Sequence, residues 1–113
     1  MPGASRHHWG TDIDFNSLNN EWFESGQGKK LFDWLESHAS AFGFCRPYTE
    51  DRTTGYNSEK WHWSYLPVSK KLTQYAKDNF NNNLIQDFDG AETVEQIDIL
   101  GHYILGINPK CKD

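Results

Sequence analysis

Two short segments of the chain concentrate the side chains that can bind a metal ion and move protons. Residues 5–14 have the sequence SRHHWGTDID, and residues 59–65 have the sequence EKWHWSY. Their imidazoles and carboxylates lie on or beside predicted β-strands that are far apart in sequence. Two histidines and one aspartate, with a fourth position open to water, form a catalytic rather than a structural zinc arrangement. A nearby carboxylate outside the ligand set can take a proton from the attacking water.

The spacing within each segment resembles a known pair of motifs. From Ser5 to Asp14 the spacing is SxHxxGxxxD, similar to the SxHxxGxAxD motif of the zinc D-alanyl-D-alanine carboxypeptidases. From Glu59 to His62 the sequence is EKWH, which resembles the ExWH motif of that family. The motifs occur in the family's order, with 44 residues between Asp14 and Glu59. The family shares one structural superfamily with lysostaphin-type peptidases and the hedgehog signalling domain.

The resemblance implies a role for each matching residue. His7, Asp14 and His62 are expected to bind one zinc ion, and Glu59 is expected to be the catalytic base. Ser5 is expected to help hold the substrate's backbone or carboxylate. The implied reaction is hydrolysis of peptidoglycan stem peptides by a zinc-bound water that the base activates. A D-Ala-D-Ala end is the expected substrate, although related enzymes cut D,D, L,D or L-Ala-D-Glu bonds.

The second segment also contains two candidates for contacts with the substrate. Trp63 flanks His62 along the predicted strand and is expected either to pack in the core or to wall the pocket. Tyr65 could stabilise the oxyanion, and a packed core tyrosine is an equally good interpretation. Glu59 and His62 are three residues apart and would face opposite sides of a regular strand. A turn or bulge near Lys60 is therefore required to bring both to one metal.

The first segment departs from the family motif at Asp12, where the motif has a small residue. We expect this carboxylate to act in the second shell of the site, where it would orient His7 or His8. His8 is expected to be exposed or to support a ligand, because neighbouring residues on a strand face opposite ways. Gly10 is expected to allow a tight turn between His7 and the strand that carries Asp14.

A second departure concerns the N-terminus. Related peptidases carry a helix, a strand and an arginine-like group for the substrate's carboxylate before the first motif, whereas Met1 stands just before Ser5. We therefore expect a single domain over residues 1–113 that lacks the family's N-terminal segment. Arg6 is the one arginine near the motif, and it has no matching role in the family.

Hydrophobic spacing predicts the elements that position these residues. Strands are expected over residues 11–15, 44–46 and 61–65, and helices over residues 28–41, 68–80 and 92–105. Pro67 opens the second helix, and in the first strand Ile13 and Phe15 are expected to face the core, away from Asp12 and Asp14. Four further aromatic residues are expected in the core: Trp22, Phe23, Phe32 and Trp34.

The order β-α-β-β-α-α lacks a regular alternation and indicates an α+β fold. A small antiparallel sheet is expected to carry the metal site between flanking helices, as in hedgehog and D,D-peptidase domains. A length of 113 residues fits one domain. The net charge of −5 argues against nucleic acid as a partner, and no apolar run reaches the roughly 20 residues that span a bilayer.

The two cysteines, Cys45 and Cys111, have no CxxC spacing and cannot form a four-thiolate zinc site. They are interpreted either as one disulfide or as two buried free thiols, and a disulfide would require an oxidising compartment. The N-terminal residues have no apolar signal-peptide core. The resemblance implies a cell-envelope, periplasmic or secreted location.

One alternative to a peptidase is a non-catalytic zinc-binding domain of the same fold, used for binding as in hedgehog. The presence of Glu59 favours the enzyme, because a degenerate domain often loses its base. A second alternative is an unrelated α+β binding domain, which failure to bind zinc would favour.

Overall fold

A three-stranded antiparallel sheet and two α-helices organise the protein, of which the computed structural model describes residues 1–112. The strands are β1 (Asp12–Asp14), β2 (Phe44–Cys45) and β3 (His62–Tyr65), in the order β1-β3-β2. Helix α1 (Gly26–His38) follows β1, and helix α2 (Leu66–Asn79) follows β3. The predicted α+β class and the antiparallel sheet are confirmed.

The register of β1 against β3 brings the two chemistry-bearing segments together. Asp14 lies opposite His62, and Asp12 lies opposite Ser64. Residues directly opposite each other in an antiparallel pair project from the same face of the sheet. One face of the sheet therefore carries two aspartates from the first segment beside the histidine and a serine from the second.

The buried face of β1 is the polar one, so the prediction for this strand was wrong at two residues. Asp12 is 7% exposed, whereas Ile13 is 42% exposed. The reason is that Asp12 faces the N-terminal 3-10 turn Arg6–Trp9, where the buried Arg6 donates a hydrogen bond to its carboxylate. Phe15 is half-buried and packs against the cluster of apolar residues under α1, as predicted.

The apolar stripe at helical spacing in α1 mostly faces the core, where Leu31 and Phe32 pack against Leu35 and Ala39, but Phe42 at its end is 64% exposed. Leu35 is buried, and the 3-10 turn Ala39–Phe42 extends the helix to Gly43, which adopts a φ of +86° and ends it. Trp34 is 48% exposed because it lies off this stripe, where its ring stacks on His38 instead. Its prediction as a core residue was therefore wrong.

Of the other three aromatic residues predicted for the core, two are buried or half-buried and one is exposed. Phe23 is 1% exposed and Phe32 is half-buried against the α1 cluster, in agreement with the prediction. Trp22 is 37% exposed, and its prediction was wrong. Its ring lies edge-on to Phe23 at the surface, with the ring centroids 4.9 Å apart.

Helix α2 begins with a proline in its first turn, as expected, but the last predicted helix does not form. In its place are a 3-10 segment, Ala91–Gln96, and a π-helical turn, Ile99–Ile104. Ile97 between them is extended, and the Asp98 side chain accepts a hydrogen bond from the Gly101 backbone N–H at 2.9 Å. This local bond competes with helix continuation. Among residues 1–112, no helix has the length and hydropathy of a membrane span.

A disulfide joins Cys45 in β2 to Cys111, which is fully buried, across a sequence separation of 66 residues. The disulfide interpretation is therefore the one that the structure bears out. Tyr48 and Ile107 pack beside the fully buried Cys111, so the bond ties the C-terminal segment to the sheet.

Replacing both Cys45 and Cys111 with alanine should lower the free energy of unfolding by about 4 kcal/mol, because a long closed loop is released in the unfolded chain. Urea unfolding of the variant and of wild type under non-reducing conditions measures the difference. Wild type with reductant is the matched control and should approach the variant. Equal midpoints for oxidised and reduced wild type would contradict the stabilising role of the bond.

Candidate metal centre

Three side chains with metal-binding atoms converge at the edge of the sheet formed by β1 and β3. One potential ligand atom from each of His7, Asp14 and His62 lies within 4.8 Å of the other two. They line a pocket of about 280 Å³. The other residues that line this pocket are Met1, Ser5, Leu18, Tyr48, Tyr56, Glu59 and Trp61. The sequence-based metal ligands are therefore brought together, and Glu59 and Ser5 lie with them.

His7 is held by the turn that precedes β1. Gly10 ends this turn with a φ of +68°, a conformation that glycine adopts without strain, and its N–H donates to the His7 backbone oxygen at 3.1 Å. The His7 Nδ1 donates to the backbone carbonyl of Asp12 at 3.2 Å. The Nε2 atom of His7 therefore faces Asp14, and it lies 3.3 Å from the Oδ1 atom of that residue.

His62 begins β3 and is 3% exposed. Its Nε2 donates to Oδ1 of Asp12 at 2.7 Å, and its Nδ1 lies 2.9 Å from Oε2 of Glu59 and 3.9 Å from Oδ1 of Asp14. Burial acts to lower the pKa of His62, but the hydrogen bonds to Asp12 and Glu59 outweigh it and raise that pKa. The Nδ1 atom is the one directed to the pocket that the three candidate ligands line, which is called the metal pocket below.

The carboxylate of Asp12 contacts His62, whereas the sequence led us to expect contact with His7 or His8. Only the backbone carbonyl of Asp12 meets His7. The reason is the register of β1 against β3, which places the Asp12 side chain on the same face of the sheet as His62. The sequence alone does not show this register. His8 is exposed in the N-terminal turn and lines a separate groove between that turn and α2.

Asp12 is a buried carboxylate with donors on both oxygens. Burial acts to raise its pKa, but the hydrogen bond from His62 and the charge of Arg6 hold it below the usual value. Thr11 Oγ1 donates to Oδ2 at 2.6 Å and Ser64 Oγ donates to the same oxygen at 3.0 Å. Asp12 therefore stays ionised and fully hydrogen-bonded beside the metal pocket.

Glu59 reaches the site from a turn outside β3, as the spacing of the motif required. Lys60 and Trp61 form this turn, and the Lys60 backbone N–H donates to Oδ1 of Asn20 at 2.9 Å. The Glu59 backbone N–H donates to the Tyr48 carbonyl at 2.9 Å. These bonds let Glu59 share a side with His62 although the two are three residues apart.

Trp63 and Tyr65 do not lie at this pocket. Trp63 is 3% exposed, packs against Leu35 and Ala39, and donates its indole N–H to the Lys60 carbonyl at 3.1 Å. Tyr65 is 39% exposed and packs against Phe44. Consecutive residues of a strand face opposite sides, so Trp63 and Tyr65 lie on the sheet face away from His62 and the pocket.

Tyr65→Phe is expected to leave the peptide hydrolysis that the two motifs imply unchanged within about twofold, because the hydroxyl lies on the sheet face away from the pocket. Steady-state kinetics of the purified variant against a D-Ala-D-Ala peptide would test this. A tenfold loss in kcat with normal folding would instead place the hydroxyl near the oxyanion.

Two tyrosines at the pocket were missed by the sequence analysis. Tyr48 is 2% exposed, and its ring lies edge-on to that of His62 with centroids 4.9 Å apart; burial raises its pKa. The Tyr56 hydroxyl accepts a hydrogen bond from the Met1 amino group at 2.7 Å. Tyr48 precedes and Tyr56 follows the polar, glycine-containing residues 49–55, which have no periodic hydrophobic pattern. No sequence signal therefore marked the two tyrosines.

The family model of VanY, described as D-alanyl-D-alanine carboxypeptidase, matches residues 1–68. The chain belongs to the D-alanyl-D-alanine carboxypeptidase family. The match contains both motifs and the whole sheet, and it ends near the start of α2. Most of α2 and everything after it lie outside the part that matches the family.

Two curated proteins are similar in sequence to this chain. A D-alanyl-D-alanine carboxypeptidase of Enterococcus faecalis (strain ATCC 700802 / V583) is 34% identical over 77 residues, covering 66% of this chain and 27% of the relative. An uncharacterized protein of Haemophilus influenzae (strain ATCC 51907 / DSM 11121 / KW20 / Rd) is 32% identical over 87 residues, covering 66% of each. The chain thus spans about a quarter of the Enterococcus protein's length. No solved structure matches the chain.

Proposed function

We propose that this family member is a zinc-dependent metallopeptidase of the D,D-carboxypeptidase type that hydrolyses peptidoglycan stem peptides. The observation that carries the proposal is the convergence of His7, Asp14 and His62 beside a fourth side chain, Glu59, in one open pocket. The family assignment and the Enterococcus relative's name support the same reaction class.

The donor set fits a catalytic zinc ion. Two imidazoles and one carboxylate are typical ligands, and three protein ligands leave a position for water or substrate. The second nitrogen of each imidazole already has an acceptor: the Asp12 backbone carbonyl for His7, and the Asp12 carboxylate for His62. Such contacts fix the tautomer and ring orientation that a histidine ligand needs. His7 would bind through Nε2 and His62 through Nδ1.

A bound zinc ion would supply Lewis-acid polarisation of the scissile carbonyl and a lowered pKa for water in the site. The remaining steps belong to the protein. Glu59 takes a proton from the attacking water at its carboxylate and delivers it to the amine of the leaving group. Ser5, at the pocket wall, holds the substrate. The buried ring of Tyr48 excludes solvent from one side of His62.

We also propose that the protein works in an oxidising compartment and has a fold of the family's type. The disulfide between Cys45 and Cys111 supports an oxidising location, such as the cell envelope, the periplasm or the outside of the cell. The small antiparallel sheet with the ligands at one edge supports a fold of the hedgehog and D,D-peptidase type.

Metal analysis and a peptidase assay test the proposal together. Wild type is expected to hold one zinc ion per chain, His62→Ala is expected to lose it, and wild type should release D-alanine from a peptide that ends in D-Ala-D-Ala. Zinc binding without hydrolysis would favour the non-catalytic zinc-binding domain. Folded wild type that takes up no added zinc would overturn the proposal.

A further inference from the structure

Arg6 is a buried cation for which the motifs assign no role. Its side chain is 1% exposed and lies over the ring of Trp9. Its Nε donates to Oδ1 of Asp12 at 3.2 Å, one terminal nitrogen donates to Ser64 Oγ at 2.9 Å, and the other donates to Thr73 Oγ1 at 3.1 Å. Burying a charge is unfavourable unless the charge is paired and hydrogen-bonded. The carboxylate of Asp12 is the group that pairs with the buried guanidinium of Arg6.

That partner, Asp12, makes the contact that orients His62. Its Oδ1 accepts from both Arg6 and His62, and its Oδ2 accepts from Thr11 and Ser64. Ser64 also accepts from Arg6, so the arginine holds the carboxylate directly and through the serine. Rotation of the Asp12 carboxylate would break several of these bonds at once.

Asp14 provides the contrast on the same face of β1. Its side chain is 35% exposed, and its neighbours are the imidazoles of His7 at 3.3 Å and His62 at 3.9 Å. Two carboxylates two residues apart could both turn to a cation in the pocket. The donors around Asp12 occupy it, and Asp14 remains the carboxylate directed to the metal.

We propose that Arg6 is a positioning residue of the metal centre. Acting through Asp12, it fixes the His62 ring so that Nδ1 faces the pocket, and it keeps the Asp12 carboxylate from becoming a ligand. Thr73, which lies beyond the residues that match the family model, connects the same support to α2. This inference rests on the proposed zinc site. On this view, one buried arginine determines which of the two nearby aspartates, Asp12 or Asp14, binds the metal.

A double-mutant cycle on zinc affinity tests the route through Asp12. Arg6→Met should weaken zinc binding about tenfold to a hundredfold in the wild-type background, which is the usual effect of losing a residue that supports a ligand. In the Asp12→Ala background the same change should cause no further weakening. Arg6→Lys keeps the charge without the planar donor geometry and should lie between wild type and Arg6→Met.

The cycle has two outcomes that would overturn the proposal. Equal weakening by Arg6→Met in both backgrounds would show that the arginine does not act through Asp12. A fall in thermal midpoint with unchanged zinc affinity would leave Arg6 a stability residue alone. If Arg6→Met does not fold, the Arg6→Lys substitution in both backgrounds completes the same cycle.

A measurement on metal-free protein separates this inference from the proposed function. At a pH where the ring is neutral, ¹⁵N NMR should place the His62 proton on Nε2 in wild type and show an averaged tautomer in Arg6→Met. The exposed His38 and His102 serve as internal controls and should not change. Failure of wild type to bind zinc would overturn the proposed function alone, whereas an unchanged His62 tautomer in Arg6→Met would overturn the inference.

Discussion

Glu59→Gln should remove most of the hydrolytic activity and leave the zinc content at one ion per chain. The glutamine keeps the shape of the side chain but cannot accept a proton from water. Glu59 lies in the pocket with Oε2 2.9 Å from the proposed ligand atom Nδ1 of His62, and no lysine or arginine forms an ion pair with it among the described residues. Loss of a general base lowers kcat by about 10²- to 10⁴-fold.

Glu50→Gln is the matched control for this experiment. Glu50 is in the same connection between β2 and β3, but its side chain is 58% exposed and pairs with Arg46 away from the pocket. The control should keep wild-type kcat. Measured by D-alanine release and metal analysis, a Glu59→Gln variant with kcat within tenfold of wild type would assign the base to another group.

The resemblance of the two motifs to the family's pair implied that three side chains from distant segments would meet at one site. His7, Asp14 and His62 converge as expected, and the turn after Glu59 was foreseen because a regular strand would separate it from His62. The antiparallel class also followed from the order of elements. The turn and the class of the sheet depend on local spacing and on alternation along a strand, which a single sequence contains, whereas the convergence was implied by the resemblance alone.

The partners of Asp12 and Arg6 were not predictable, because they depend on how distant segments pair. The register that places Asp12 beside Ser64 and within reach of His62 is a property of the folded sheet. An arginine in a polar motif is ordinarily expected to be solvated, and nothing local marked Arg6 as buried. For the same reason Ile13 was assigned to the core, when the polar face of its strand is the buried one.

The last predicted helix shows a different limit. Its apolar positions at helical spacing still lie in the core: Val94 and Ile104 are buried, and Ile97, Leu100 and Leu105 pack against their cluster. Helical periodicity alone could not account for the Asp98 side chain, whose bond to the Gly101 N–H starts a separate turn. Polar side chains that bond to the nearby backbone offer an alternative to a continuous helix.

His7→Ala should lose zinc, with an affinity reduced by more than the roughly hundredfold that supporting residues account for, because it removes a proposed ligand rather than a neighbour of one. Activity should fall with the metal, and added zinc should restore it only at much higher concentrations than wild type needs. Chelator competition gives the affinity, and titration of metal-free protein with zinc gives the recovery of activity.

The chain supplies a matched control in the next residue, since His8→Ala removes an imidazole of the same size from the same turn. His8 is exposed and lines the groove beside α2, whereas the Nε2 of His7 lies 3.3 Å from Asp14 in the metal pocket. His8→Ala should therefore keep wild-type zinc affinity and kcat. Equal losses in the two variants would mean that the turn, and not the His7 imidazole, supports the site, and the proposed ligand set would have to be abandoned.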